Sequence, residues 1–460
     1  MSPEQEQNGS APSPLSRLLT RLNAGERGRQ MAVSALWTFA LRIFTILATF
    51  GISILLSRTL RASGYGVYAY AIGWVQVLAL PGLLGMERLV VRHAAAYRQS
   101  GEWGLLRGLM RWALLMTAGM SLLLAGGGVV LVLALGKSTP LLHGLVYGLP
   151  LLPLLVLVRL LASGIHGQGR VALSQVPENL VHPLLLILLI GSAALFLPDR
   201  FSPILALGCY GIAMAVALLA GAISLRIHLP REYRQSKALY QRKLWGASVA
   251  PLLFIGAMQT TSARADLLIL GALMGSEAAG IYTVATRGAS LILLATFAVN
   301  AALAPTLAGL HAQGNHSGMQ DLVTKAARVN FIGALPLAVG LILFAKPLLS
   351  LFGPEFPAGS GAMILLALAN LAGAWFGPAT TLLVMSGHEV DAARAFAVGT
   401  GITVIGDFVF IPLLGLQGAA VVMLVSTVVW SLLLVRAAKR RLGVVPAAWP
   451  VSRRRSDEDG

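Results

Sequence analysis

Residues 31–57 read MAVSALWTFALRIFTILATFGISILLS. At about 1.5 Å of rise per residue, a helix of this length exceeds the roughly 30 Å hydrocarbon core of a bilayer. A secretory signal would show a shorter apolar core followed by a small-residue cleavage site, so the run predicts a retained membrane helix. Its polar residues Ser34, Thr38, Arg42, Thr45, Thr49 and Ser53 are spaced by 4, 4, 3, 4 and 4, which lines all six along one helix face. Arg42 falls roughly 16 Å into the span at the same rise, a depth at which a cation needs a partner or a water-filled cavity. The stripe is therefore read as cavity-lining, against the alternative of a polar seam between helices.

The rest of the chain has the same character. Of 460 residues, 56% are hydrophobic and 12% charged, and the mean hydropathy is +0.76; a soluble protein would carry about a quarter charged residues. The net charge of +17 comes from basic residues interleaved with membrane-length apolar runs, which excludes nucleic acid as the partner. The single cysteine, Cys209, lies in an apolar run, so thiols build no disulfide framework, zinc site or iron–sulfur cluster. No GxxxxGK[ST], HExxH or GxSxG occurs, so no enzyme, cofactor or metal is expected, and the energy source is a gradient or the membrane potential.

Gly/Pro breaks and charge clusters divide the chain into twelve spans beginning near Met31, Tyr65, Met110, Leu141, Val171, Phe201, Ala247, Ala279, Val329, Gly361, Ala393 and Gln417. Alternate connections differ sharply in charge: 26 of the 35 Lys and Arg fall on the side of the two termini and 5 on the other. By the positive-inside rule both termini are cytoplasmic. The expected organisation is a disordered basic tail over 1–30, a six-helix bundle over 31–227, a basic linker over 228–246, a second bundle over 247–438 and a cytoplasmic tail over 439–460. Two internal matches support paired halves: GVYAYA at 66–71 recurs as GIYTVA at 280–285, and Gly167-Gln168 as Gly387-His388.

Membrane-depth polar residues supply the candidate site. Thr260 and Arg264 in span 7, flanked by Gln259, Ser262 and Asp266, and Thr283, Arg287 and Ser290 in span 8 have helical spacing. With Arg42 they give three arginines able to converge on a phosphate or pyrophosphate, whose geometry a guanidinium matches bidentately. The competing reading pairs Arg264 with Asp266. Arg159, near the cytoplasmic end of span 4, is read as snorkelling to the interface. Glu178 and His182 stand one turn apart between Pro177 and Pro183, a spacing that allows proton exchange or a purely structural role. Asp407 in span 11 is a candidate for cation coupling.

Several stretches resemble a known group. Arg264-Ala265-Asp266-Leu267-Leu268-Ile269-Leu270-Gly271, then Gly280-Ile281-Tyr282, Ala285 and Ala304-Pro305, are similar to the seventh and eighth helices of bacterial oligosaccharide flippases. Leu348 to Gly353, followed by Phe356 and Ala358, resembles their ninth-to-tenth connection. These flippases belong to the multidrug, oligosaccharidyl-lipid and polysaccharide exporter superfamily. The resemblance implies an all-α polytopic protein of two six-helix bundles in a bacterial inner membrane. It would move an undecaprenyl-pyrophosphate-linked oligosaccharide between leaflets by alternating access, for cell-surface polysaccharide assembly. Its cavity residues would be Arg42, Arg264, Arg287, Thr38, Thr45, Gln259 and Thr260, with Asp266, Glu178, His182 and Asp407 open to ion coupling. Its partners would be the lipid-linked oligosaccharide, membrane lipids and other polysaccharide assembly proteins. The alternatives are a cation-coupled multidrug exporter of the same superfamily, which would want an acidic or aromatic cavity, and a polysaccharide polymerase or ligase, which would want a larger extramembrane loop.

Overall fold

The computed structural model describes residues 14–136, 139–246 and 264–449, and every regular element among them is helical. That is the form lipid imposes, because a spanning helix satisfies its own backbone N–H and C=O groups. Ten helical segments of the described residues are long and apolar enough to cross a membrane.

In the first half, α1 (Pro14–Leu83) bends back at Arg61 into a hairpin whose two arms are the expected spans 1 and 2. The helix already begins at Pro14, where an irregular tail was expected through residue 30; Pro suits a first helical turn, and the Leu, Arg, Glu and Gln that follow are good helix formers. The basic connection after span 2 is also ordered: α2 (Met86–Ser100) runs between Gly85 and Gly101, both left-handed, and buries Met86, Leu89, Val90, Ala94 and Tyr97 on one face. Next come α3 (Trp103–Ala134), α4 (Pro140–Gly148) running on into α5 (Leu152–Gly167), and α6 (Val171–Val176) running on into α7 (His182–Phe196). The half ends with α8 (Pro203–His228) and the short α9 (Arg231–Gln235).

The second half opens with α10 (Ala265–Ala289), which doubles back at Gly275 as α1 does at Arg61. Then follow α11 (Leu293–Ala312), α12 (His316–Leu343), α13 (Ala345–Ser350), α14 (Ser360–Trp375), α15 (Ala379–Met385), α16 (Glu389–Leu414) and α17 (Leu416–Leu442). The expected start of span 7, with Gln259 and Thr260, lies outside the described residues. Two helices start earlier than the apolar runs: α3 at Trp103 and α12 at His316, the latter because Asn315 caps it by accepting from the Gly318 N–H at 2.8 Å.

The two copies of the repeated motif lie against each other. A Cβ on Gly66 would fall onto the Ser276 carbonyl and 2.8 Å from the Gly280 nitrogen; one on Gly280 would fall onto the Ala62 carbonyl and 3.0 Å from the Gly66 nitrogen. Each glycine thus touches the residue four before the other, a reciprocal contact between the second arms of the two hairpins. Polar contacts seal the same end. The Ser63 and Ser276 hydroxyls are 3.0 Å apart, Arg58 Nε donates to the Leu351 carbonyl at 2.7 Å, and the Ala62 N–H donates to Glu355 at 2.8 Å. Phe50 meets Phe352 edge-on at 5.2 Å.

The two hairpin breaks are 214 residues apart, the offset of the motif itself, yet they differ chemically. Gly275 takes φ 88°, ψ −173° without cost, whereas Arg61 takes φ 59°, ψ −178°, a conformation that is essentially glycine's alone. Its side chain is 82% exposed and 3.9 Å from Glu355, too loose a pair to offset the backbone strain. Arg61→Gly should therefore stabilise the protein by about 1 kcal/mol after glycine's extra chain entropy is subtracted. A higher melting temperature of the purified variant in detergent is the expected reading, and a lower one contradicts the strain argument.

Candidate functional site

Between the halves, on the inner side of this seal, lies a cavity of about 200 Å³. The deeper part of the span 1 stripe lines it. Thr45, Thr49 and Ser53 each donate to the carbonyl one turn back, at 2.6 to 2.8 Å, and present their oxygens inward. Opposite them the chain between α6 and α7 forms a widened turn over Pro177–Val181, in which the His182 N–H reaches back five residues to the Pro177 carbonyl. Pro177 and Pro183 lack donors, which favours this loosened winding. The turn brings Glu178, Asn179 and His182 to the cavity wall, and the Asn179 carbonyl accepts a second bond from Thr45 at 3.1 Å.

Three arginines face this space. Arg264 precedes α10 and Arg287 closes its second arm, and the fold-back at Gly275 brings the two together. The third is Arg159 of α5. The expectation that Arg159 snorkels is corrected: its Nε lies 3.1 Å from Glu178 Oε1, each side chain about three-tenths exposed. The sequence spacing hid this pair because the two residues sit on different helices. Tyr65, Tyr68 and Tyr210 add hydroxyls and ring faces, with His182 edge-on to Tyr210 at 4.7 Å. Among the described lining residues, three guanidiniums stand against the single carboxylate of Glu178, which leaves this lining cationic.

Arg42 does not join them. It is on the expected face but a turn short of Thr45, exposed, and stacked on Phe297 of α11 at 4.5 Å from the ring centre. Thr38, a further turn out, also lies outside the cavity. Asp266 is not paired with Arg264 either. It is buried, accepts from the Tyr282 hydroxyl at 2.6 Å and from the Leu267 N–H at 2.8 Å, and so ties the two arms of α10 together. Asp407 of α16 is wholly buried, and among the described residues neither carboxylate oxygen has a hydrogen-bond partner.

Comparison with known proteins agrees with this architecture. A family model described as "Polysaccharide biosynthesis protein" matches residues 205–356. A probable flippase, AglR of Haloferax volcanii, is 26% identical over 309 residues; the match takes in 64% of this chain and 60% of that protein. Among solved structures, an inward-facing multidrug resistance MATE family transporter of the MOP superfamily aligns with TM-score 0.72 at 14% identity, over 87% of this chain and 94% of that one. The lipid II flippase MurJ, in an inward closed conformation, aligns with TM-score 0.69 at 14% identity, over 89% of this chain and 87% of that one.

The chain has the fold of these MOP-superfamily structures. The polysaccharide-type family model runs from α8 through Phe356, so it takes in the second hairpin with Arg264 and Arg287.

The Asp266–Tyr282 bond has a testable consequence for the hairpin. Tyr282 is 1% exposed, so Tyr282→Phe strips a buried carboxylate of one of its two donors, which should cost about 1–3 kcal/mol. Thermal unfolding of the purified variant measures it; an unchanged melting temperature would mean that the bond does not hold the arms.

Proposed function

We propose that this protein is a flippase for a lipid-linked oligosaccharide. The cargo is carried on undecaprenyl pyrophosphate and moved by alternating access from the cytoplasmic to the periplasmic leaflet of a bacterial inner membrane, with both termini cytoplasmic. The observation that carries this reading is the charge of the central cavity, where Arg159, Arg264 and Arg287 outnumber Glu178. A pyrophosphate leaving the interface loses its hydration and recovers it from charge-assisted hydrogen bonds, each worth about 1.5–3 kcal/mol. The threonine and tyrosine hydroxyls that share the wall are suited to sugar hydroxyls. A cationic drug would be repelled from the same site, which disfavours the multidrug reading despite the three tyrosines. The 26-to-5 charge asymmetry supports a periplasmic sealed end, which would make this conformation inward-facing. In the second half, the buried Asp407, whose carboxylate has no hydrogen-bond partner among the described residues, is the place where a coupling proton or cation would be taken up and released.

Arg264→Ala and Arg287→Ala should each lower cargo affinity roughly tenfold to a hundredfold while leaving the protein inserted, and Lys should restore it only partly because a point charge cannot reproduce the bidentate fork. Arg42→Ala, outside the cavity, should have the smaller effect. Accumulation of lipid-linked oligosaccharide in the cytoplasmic leaflet of a complemented deletion strain is the readout. Normal polysaccharide display from both cavity variants would leave these arginines as structural cations and end the proposal.

A second expectation concerns the seal. In a Cys209→Ser background, Ser63→Cys with Ser276→Cys should form a disulfide on oxidation and stop flipping until reductant is added, since the two hydroxyls are 3.0 Å apart. Full activity of the cross-linked protein would show that this end need not open.

A further inference from the structure

A second cavity, of about 410 Å³, opens on the outer flank of the first half at its basic end, away from the central site. Arg107 of α3, Arg226 in the last turn of α8, and Tyr233 and Arg234 of α9 form its rim, and Leu225 and Leu229 are among the apolar residues beneath. No carboxylate is among the described residues that line it. Two of the guanidiniums are fixed by backbone carbonyls: Arg107 Nη1 donates to Arg234 at 2.8 Å and to Ser236 at 2.6 Å, and Arg234 Nη2 donates to Arg226 at 2.6 Å. Each uses one nitrogen in this way, which leaves the other N–H groups of both, and the whole Arg226 fork, to a ligand.

Three arginines on one rim, two of them held in place by backbone carbonyls, are suited to a phosphate. What lies beside it narrows the ligand further. Along α8, Ile212, Val216, Leu219, Ile223 and Ile227 succeed one another at helical spacing and are 38 to 66% exposed, an apolar stripe on the helix face adjoining the one that carries Ala222, Leu225, Arg226 and Leu229. An anionic head over an apolar path, with an aromatic ring at the boundary, is the pattern of a lipid headgroup site.

We propose that this cleft holds an anionic glycerophospholipid, its phosphate on Arg107, Arg226 and Arg234 and its acyl chains along the α8 stripe. Such a lipid pins the linker after α8 to the first half, because Arg107, which would hold the phosphate, also holds the Arg234 and Ser236 carbonyls, and Arg234 of the linker holds the Arg226 carbonyl of α8. The site is independent of the cargo cavity and of what the protein transports.

The test uses the purified full chain in detergent, with phosphatidylglycerol, phosphatidylcholine and inorganic phosphate as probes, read by native mass spectrometry and by melting temperature. Phosphatidylglycerol should remain bound and raise the melting temperature, while phosphatidylcholine and inorganic phosphate should do neither. Arg226→Gln is the informative variant, since among the described residues its side chain makes no hydrogen bond or ion pair; phosphatidylglycerol retention should fall about tenfold, the loss of one charge-assisted contact. Arg287→Ala, in the central cavity, should leave retention unchanged. Equal retention of phosphatidylcholine, an equal shift from inorganic phosphate alone, undiminished retention by Arg226→Gln, or loss of retention only in Arg287→Ala would each overturn the assignment.

Discussion

Two glycines, Gly66 and Gly280, let the halves of this molecule meet. Their backbones approach so closely that a Cβ on either would overlap the other helix's carbonyl. Lipid supplies no hydrophobic force between helices, so close van der Waals approach is what holds such a contact, and only glycine permits it here. Everything nearby depends on that approach. The Ser63–Ser276 contact, the Arg58 bond to Leu351 and the Glu355 bond to Ala62 all form within a turn or two of one of the glycines or at the connection that abuts them. They close one end of the central cavity, and an alternating-access cycle would have to break them.

The cavity behind that seal shows how a membrane protein keeps charge at depth. Arg159 is held by Glu178, and Glu178 is presented by a turn that two prolines loosen. Arg264 and Arg287 have no such carboxylate in the cavity; Asp266, next to Arg264 in sequence, turns away to Tyr282. The unpaired positive charge therefore stays where an anionic group can use it. The opposite sign appears in Asp407, a buried carboxyl whose oxygens find no donor among the described residues. One half thus contributes most of the hydroxyls and a balanced ion pair, and the other contributes the excess cations and the buried acids. The geometry of the two hairpins is repeated while their chemistry is not.

Much of this was legible in the linear sequence, because hydropathy and helical periodicity are local properties. Apolar run length marked the spans, the 4, 4, 3, 4, 4 spacing marked the face of span 1 that meets the cavity, and the 214-residue offset picked out the two motifs that touch. The amphipathic α2 was just as local, with apolar residues at helical spacing from Met86 to Tyr97, but its arginines made it read as a connection. What periodicity cannot supply is the identity of the neighbour across a gap. Arg42 has the right face but meets Phe297, Arg159 meets Glu178 from another helix, and Asp266 meets Tyr282 across a hairpin. Those pairings were decided by tertiary structure, since a side chain's partner depends on which helix packs opposite it and at what depth, and neither is encoded within one turn of its own helix.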